Sequence, residues 1–145
     1  MPAKDVFLSN KPLVAIVDDD DAVREALSDL LFVMDVAYRA FDRAEAFMAE
    51  FEPDRFDCLI TDVSMPGRSG LELQERLRQL GSSLPVIFIT ADASPATEAR
   101  ALRGGAYGFL TKPVNHEVLF HLLQSATNHA GRSRRNERGD RPADD

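Results

Sequence analysis

The chain has 145 residues, a formal net charge of −7 and one cysteine. This length suits one domain with its own core, and the negative charge disfavours direct nucleic-acid binding by the globular part. A lone cysteine excludes an internal disulfide and a cysteine-rich metal site. We expect Cys58, within an apolar run, to be a small core residue. No apolar run reaches about 18 residues, so we expect no membrane span. No secretory signal is recognisable, and we expect the protein to be cytoplasmic.

Strand-like and helix-like patterns alternate along the chain. Five apolar runs predict strands at Leu13–Val17, Val36–Phe41, Phe56–Thr61, Pro85–Ile89 and Tyr107–Thr111. A helical pattern or a helix-start signal follows each run. Five such units with short connections predict an α/β fold, in which helices cover both faces of a doubly wound, five-stranded parallel sheet.

Helix starts and domain boundaries can also be predicted. The expected N-caps are Asp20, Ser69 with Glu72 in a capping box, Ser94 before Pro95, and Asn115. We expect an N-terminal extension at residues 1–12 and the folded domain at 13–129. Residues 130–145 form an arginine-rich tail with almost no apolar residue, so we predict that this tail is a disordered end or a linker.

Polar side chains follow four of the predicted strands. Asp18 and Asp19 follow the first strand, Asp62 the third, Thr90 the fourth and Lys112 the fifth. The crevice of an open parallel sheet lies at the carboxyl ends of its strands, so these groups should meet there. Neighbouring carboxylates raise each other's pKa values, and a divalent cation relieves their repulsion. Oxygen ligands suit Mg2+.

This set of groups indicates phosphoryl transfer. The reaction needs a nucleophile, a cation that neutralises the phosphoryl oxygens, and fixed donors for the remaining charge. Asp62 can be the nucleophile, because aspartate forms covalent phosphoryl intermediates. Lys112 can pair with one phosphoryl oxygen, and the hydroxyl of Thr90 can donate to another.

The sequence resembles the receiver domain of bacterial response regulators. The motifs are Ile16-Val17-Asp18-Asp19, Asp62-Val63-Ser64-Met65-Pro66 with Gly70, Thr90-Ala91, and Lys112-Pro113. The resemblance covers residues 13 to 127. It implies a flavodoxin-like fold of five β/α units and a non-enzymatic signalling role in two-component phosphorelay. The sequence around Met65-Pro66 and Ala106-Tyr107-Gly108-Phe109 is most similar to FixJ-like and NtrC-like receivers.

The resemblance also implies a role for each matching residue. Asp62 would accept the phosphoryl group from a sensor histidine kinase or a histidine phosphotransfer protein, and Lys112 would contact that group. Asp19, Asp62 and the carbonyl of Ser64 would bind Mg2+ directly, and Asp18 would bind it mainly through water. Self-catalysed phosphorylation and dephosphorylation of Asp62 would then depend on Mg2+.

The resemblance further implies two conformations, with Thr90 and Phe109 as the switch residues. The altered surface would comprise the helix Pro95–Arg103, the strand Tyr107–Thr111 and the last helix. We expect phosphorylation to promote a homodimer or partner binding through this surface. Its apolar residues would be Ala99, Ala106 and Val118, with Arg100, Arg103 and Glu117 as charged partners.

Other functions fit the sequence less well. Phosphatases and phosphotransferases on similar scaffolds commonly carry a second aspartate two residues after the nucleophile, where this chain has Ser64. A flavin or nucleotide binder needs a phosphate-cradling loop after the first strand, where this chain has aspartates. A degenerate receiver would lack the acidic pair, the acceptor or the lysine. Two readings stay open: a stand-alone relay receiver, or the N-terminal receiver of a DNA-binding regulator.

Overall fold

The structure, a computed structural model, describes residues 11–92 and 94–135, with side chains through residue 128. Its elements in chain order are β1 Leu13–Val17, α1 Asp21–Val33, β2 Ala37–Phe41, α2 Ala44–Glu50, β3 Cys58–Asp62, α3 Gly70–Gln79, β4 Val86–Thr90, α4 Pro95–Arg103, β5 Gly108–Thr111 and α5 His116–Arg135. None of the helices in the described ranges is long and apolar enough to cross a membrane.

The five strands form one parallel sheet in the order β2-β1-β3-β4-β5. The predicted doubly wound α/β fold is therefore confirmed. In the register, Val17 lies beside Thr61 and Thr90 lies beside Thr111. The carboxyl ends of β1, β3, β4 and β5 consequently lie along one edge of the sheet, where the polar residues that follow them can meet.

Successive strand residues point to opposite faces, so the sheet has a core on each side. One core contains Phe47 and Leu73 from α2 and α3, packed on Phe88 of the sheet. The other contains Leu31 and Leu119 from α1 and α5. Every residue of β3 and β4 is buried, which explains why the runs that predict them are almost wholly apolar.

Cys58 is fully buried at the start of β3, so its predicted role as a core residue is confirmed. Burial raises the pKa of its thiol, and the nearby charge of Asp57 raises it further. The thiol therefore stays protonated, and only thiolates are good nucleophiles.

The predicted caps are confirmed. The Asp20 carboxylate accepts hydrogen bonds from the N–H groups of Ala22 and Val23. Ser69 and Glu72 form the reciprocal capping box, Ser94 accepts from the N–H of Thr97, and Asn115 accepts from the N–H groups of Glu117 and Val118. These bonds satisfy N–H donors that lack partners at a helix start. They therefore fix where four helices begin after the carboxyl ends of the strands.

The last helix is longer than predicted. Helix α5 continues to Arg135, beyond residue 129, where the folded domain was expected to end. Ala126 and Thr127 are still buried on the sheet, and the Thr127 hydroxyl donates to the Leu123 carbonyl. An anchored helix extends cheaply because each added residue completes one more hydrogen bond, and arginine favours helix. Most of the predicted extension 1–12 and residues 136–145 lie outside the described residues.

Candidate functional site

Three carboxylates meet at the carboxyl edge of the sheet. Asp18 and Asp19 follow β1, Asp62 ends β3, and one oxygen from each lies within 4.8 Å of the others. Asp18 is 0% exposed and Asp62 is 6% exposed, whereas Asp19 is open to solvent. The structure thus brings together the acidic residues expected there, with one side accessible.

Lys112 supplies the positive charge in this cluster. Its Nζ lies 3.0 Å from Oδ2 of Asp18 and 3.2 Å from Oδ2 of Asp62. Its backbone N–H donates to the carbonyl of Thr90 at 2.8 Å, which ties the end of β5 to the end of β4. The Lys112–Pro113 peptide bond is cis. The ammonium therefore bridges two carboxylates that come from different strands.

Burial and charge act in opposite directions on these groups. Burial raises the pKa of Asp18, and this outweighs the hydrogen bonds from the Asp20 N–H and from Lys112 that lower it. Burial lowers the pKa of Lys112, but its hydrogen bonds and attraction to Asp18 and Asp62 raise the pKa by more. The net shift is therefore upward. Lys112 is held in its charged form, while the ionised form of Asp18 is disfavoured.

Arg24 fixes the turn that carries the acidic pair. Its Nη1 donates to the backbone carbonyl of Asp18 at 2.6 Å, and its Nη2 pairs with Asp21. Oδ1 of Asp18 accepts from the N–H of Asp20 at 2.9 Å. We did not predict this role for Arg24. The only signal in the sequence is an arginine one turn into a helix that begins with consecutive aspartates.

The loop after Asp62 depends on a close backbone contact. Oδ1 of Asp62 accepts from the N–H of Ser64 at 3.4 Å, and the N–H of Gly70 donates to the Val63 carbonyl at 2.8 Å. A Cβ at position 70 would lie 2.1 Å from the backbone oxygen of Asp62. Only glycine permits this approach, so Gly70 lets the start of α3 pack against the backbone of Asp62.

The predicted switch residues lie on adjacent strands. Thr90 is buried at the end of β4, and its hydroxyl oxygen accepts from the N–H of Asp92 at 3.0 Å. The hydroxyl therefore bonds to the loop that leads to α4. Phe109 is half-buried beside Phe88, with ring centroids 6.3 Å apart. The strand register places Phe88 opposite Phe109 and Thr90 opposite Thr111.

The face formed by α4, β5 and α5 has apolar residues in contact with solvent. Leu102 is 52% exposed, Tyr107 36% and Val118 44%. The sequence predicted Val118 at this face but not Leu102 or Tyr107, because apolar side chains in helices and strands are expected in the core. Arg100, which was also predicted for this face, is exposed and lines a cleft together with Arg76 of α3.

The chain matches known proteins over most of its length. The family model described as "Response regulator receiver domain" matches residues 14–124. The response regulator protein TodT of Pseudomonas putida is 36% identical over 124 residues, which cover 86% of this chain and 55% of TodT. The transcriptional regulatory protein FixJ of Rhizobium meliloti is 37% identical over 117 residues, which cover 80% of this chain and 57% of FixJ.

A solved structure agrees with these matches. The crystal structure of a response regulator receiver protein from Pseudoalteromonas atlantica superposes with a TM-score of 0.77 at 35% identity, covering 82% of this chain and 99% of that one. This chain spans little more than half the length of the curated relatives TodT and FixJ. The expected resemblance to FixJ-like receivers is confirmed. The chain belongs to the response regulator receiver domain family of two-component signalling systems.

Proposed function

We propose that Asp62 is the phospho-acceptor of this receiver domain and that a sensor histidine kinase or a histidine phosphotransfer protein is the donor. One observation carries the proposal: the Asp62 carboxylate ends the central strand 3.2 Å from the Lys112 ammonium and beside Asp18 and Asp19. A nucleophile, a fixed cation and a set of oxygen ligands thus lie together. We expect the domain to do this in the cytoplasm.

The transfer follows from these positions. A carboxylate oxygen of Asp62 attacks phosphorus, the new O–P bond forms as the P–N bond of the donor phosphohistidine breaks, and the leaving imidazole takes up a proton. Lys112 already contacts Asp62, so its ammonium can pair with an oxygen of the phosphoryl group held there. The Thr90 hydroxyl can exchange the hydrogen bond of 3.3 Å that it donates to the Asp92 carbonyl for one to another phosphoryl oxygen.

The donor atoms of the acidic cluster fit Mg2+. They are all oxygens, three carboxylates lie close enough to share one ion, and the exposed side at Asp19 leaves room for water ligands. Asp19, Asp62 and the carbonyl of Ser64 would hold the ion directly, and Asp18 would hold it through water. When bound, Mg2+ offsets the negative charge of the phosphoryl oxygens.

The test uses acetyl phosphate as the donor and the intact mass of the protein as the readout. We expect the wild type to gain one phosphoryl group in Mg2+ and none in EDTA, and we expect Asp62→Asn to gain none. Asp42→Asn is the matched control, because Asp42 directly follows β2 at the same edge of the sheet. Equal phosphorylation of Asp62→Asn and wild type would contradict the proposal.

A second proposal concerns the output. Leu102 on α4, Tyr107 just before β5 and Val118 on α5 expose apolar surface, and exposed apolar patches mark interaction surfaces. We propose that phosphorylation promotes a homodimer or partner binding through this face, which we call the output face. Arg103 and Glu117, both exposed, provide charges for pairing. Exposed ion pairs contribute specificity more than affinity, so the association would be weak and salt-sensitive.

A further inference from the structure

Gln74 is a buried polar residue that the phospho-acceptor chemistry does not use. It lies on α3 and is 6% exposed. Its Nε2 donates a hydrogen bond of 3.0 Å to the backbone carbonyl of Ala101 on α4. The side chain thus links two neighbouring helices inside the protein.

The carbonyl of Ala101 is a special acceptor because it lies in the last turn of α4. The N–H of Ala106 donates to the same carbonyl at 3.0 Å, and the N–H of Gly105 donates to the Leu102 carbonyl at 3.0 Å. This pair of bonds is the Schellman motif, which closes many helices. Gln74 adds a second donor to one carbonyl of this motif, so it binds the C-terminal end of α4 directly.

Gly104 shapes the same contact from the opposite side. A Cβ at position 104 would lie 2.5 Å from Oε1 and 2.7 Å from Cδ of Gln74. The backbone of Gly104 has φ −79°, which alanine adopts without strain. The glycine is therefore required by the nearby Gln74 amide and not by its own backbone conformation.

The start of α4 is attached differently from its end. Ala101 is the one buried residue within α4, whereas Pro95, Ala96 and Glu98 near its start are exposed. That exposed end follows the loop that contains Asp92. The Thr90 hydroxyl donates a hydrogen bond to the Asp92 carbonyl and accepts one from the Asp92 N–H. The hydrogen bond to α3 thus lies at the end of α4 far from Thr90, whereas the hydrogen bonds of Ser94 at the near end join it only to α4 itself.

We infer that Gln74 is the pivot of α4. It holds the C-terminal end of the helix to α3 in both phosphorylation states, while the N-terminal end moves when Thr90 turns toward the phosphoryl group. Gln74 is a positioning residue, since it acts on α4 and does not touch the reacting atoms. This inference rests on the proposed roles of Asp62 and Thr90.

The first test measures the anchor and needs no phosphorylation. Hydrogen exchange of the amides at residues 100–104 should rise about fivefold in Gln74→Ala, the effect of one lost hydrogen bond. Gly104→Ala should give a similar rise because its methyl group displaces the Gln74 amide. The double variant should exchange no faster than the faster single variant, because both changes break one contact. Gln79→Ala, at an exposed glutamine of α3, is the control.

Unchanged exchange in Gln74→Ala, or effects that add fully in the double variant, would overturn the anchor. Should Gln74→Ala fail to fold, Gln74→Met removes the amide and keeps most of the side-chain volume, and the same rise is expected.

The second test follows the motion by NMR, with Mg2+ and beryllofluoride as a stand-in for the phosphoryl group. We expect the backbone amides of residues 96–99 to shift while the side-chain amide signals of Gln74 stay in place. In Gln74→Met, the shifts should extend through residues 100–106. Movement of the Gln74 signals together with the amide signals of residues 96–99 would overturn the pivot alone. A wild-type spectrum that does not respond at all would contradict the proposed function and the pivot together.

Discussion

At the scale of single residues, the burial of Asp18 should lower the stability of the fold while keeping a carboxylate at the proposed cation site. Its carboxylate is buried against Asp62, and it is only partly compensated by Lys112 and by the N–H of Asp20. Arg24 donates to its backbone carbonyl and not to its carboxylate. Acidic groups that stabilise a bound cation are costly to bury without one, so the proposed Mg2+ site would exchange stability for binding at this position.

The raised pKa of Asp18 gives a pH-dependent prediction. The folded protein binds this proton more tightly than the unfolded chain, so the stability from protonated Asp18 is complete below the unfolded pKa and is lost as pH rises through the folded pKa. Asp18→Asn cannot ionise. In EDTA we therefore expect its Tm to exceed that of the wild type at neutral pH, and the difference to vanish in acid below the unfolded pKa.

Mg2+ should reverse this order. The wild type should gain stability from Mg2+ by mass action, and Asp18→Asn should gain less because it has lost a negative charge near the ion. Thermal melts at several pH values, with EDTA or Mg2+, provide the measurement. Asp19→Asn is the control for burial, because Asp19 is exposed and its removal should not raise Tm in EDTA. A lower Tm of Asp18→Asn at neutral pH in EDTA would contradict this explanation.

At the scale of secondary-structure elements, the start of α3 depends on Gly70. An alanine methyl there would meet the backbone oxygen of Asp62 at 2.1 Å, and backbone atoms cannot move aside as a side-chain end can. We expect Gly70→Ala to destabilise the fold by about 3 kcal/mol, the upper range for overpacking, and to reduce phosphorylation of Asp62 as the loop shifts. Chemical denaturation and intact mass measure the two effects.

Gly81→Asn is the matched control for Gly70. Gly81 has φ +78°, a Cβ at this position would have nothing within 4 Å, and asparagine tolerates this conformation better than most residues. Its stability should stay close to that of the wild type. A Gly70→Ala protein that is as stable as Gly81→Asn would show that the loop relaxes around the methyl group.

The sequence predicted the elements well where local signals determine them. Apolar runs located the strands, and side-chain caps such as Asp20 and Ser69 located the helix starts. It failed where tertiary packing decides. The contact between Gln74 and Gly104 joins residues that share no local pattern. Helix α5 also reaches Arg135, beyond the end of the domain that composition suggested.

The functional edge was predictable because parallel strands place their ends together. Asp18, Asp62 and Lys112 are far apart in sequence, yet strand order alone brings them within hydrogen-bond distance. The positioning role of Arg24 could not be predicted in the same way, since its donation to a backbone carbonyl leaves no pairing pattern in the sequence.

At the scale of the whole molecule, the proposed switch couples the acidic cluster to the output face. A bound group shifts a two-state balance only through contacts that differ between the states, and the Thr90 hydroxyl is the candidate contact. We expect Thr90→Ala to accept phosphate at Asp62 but to associate roughly tenfold more weakly when phosphorylated, about the effect of one hydrogen bond to a charged group. Sedimentation of phosphorylated protein measures this.

Ser83→Ala serves as the control for Thr90, because its hydroxyl is exposed in the loop between α3 and β4, outside the output face. It should associate as the wild type does. Association should also weaken in high salt if Arg103 and Glu117 pair across the interface. Phosphorylated wild-type protein that sediments only as a monomer, with no partner bound, would contradict the proposed dimer. A role in phosphate relay would then be the better interpretation.

Asp62, and no other residue, is proposed to carry the phosphoryl group. The most direct measurement phosphorylates the wild type with acetyl phosphate and Mg2+, reduces the acyl phosphate with borohydride to homoserine, and locates the change by peptide mass spectrometry. We predict homoserine at position 62 alone, and none when EDTA replaces Mg2+. Homoserine at Asp18, Asp19 or another aspartate, or phosphate retained on a serine, threonine or histidine, would contradict the account.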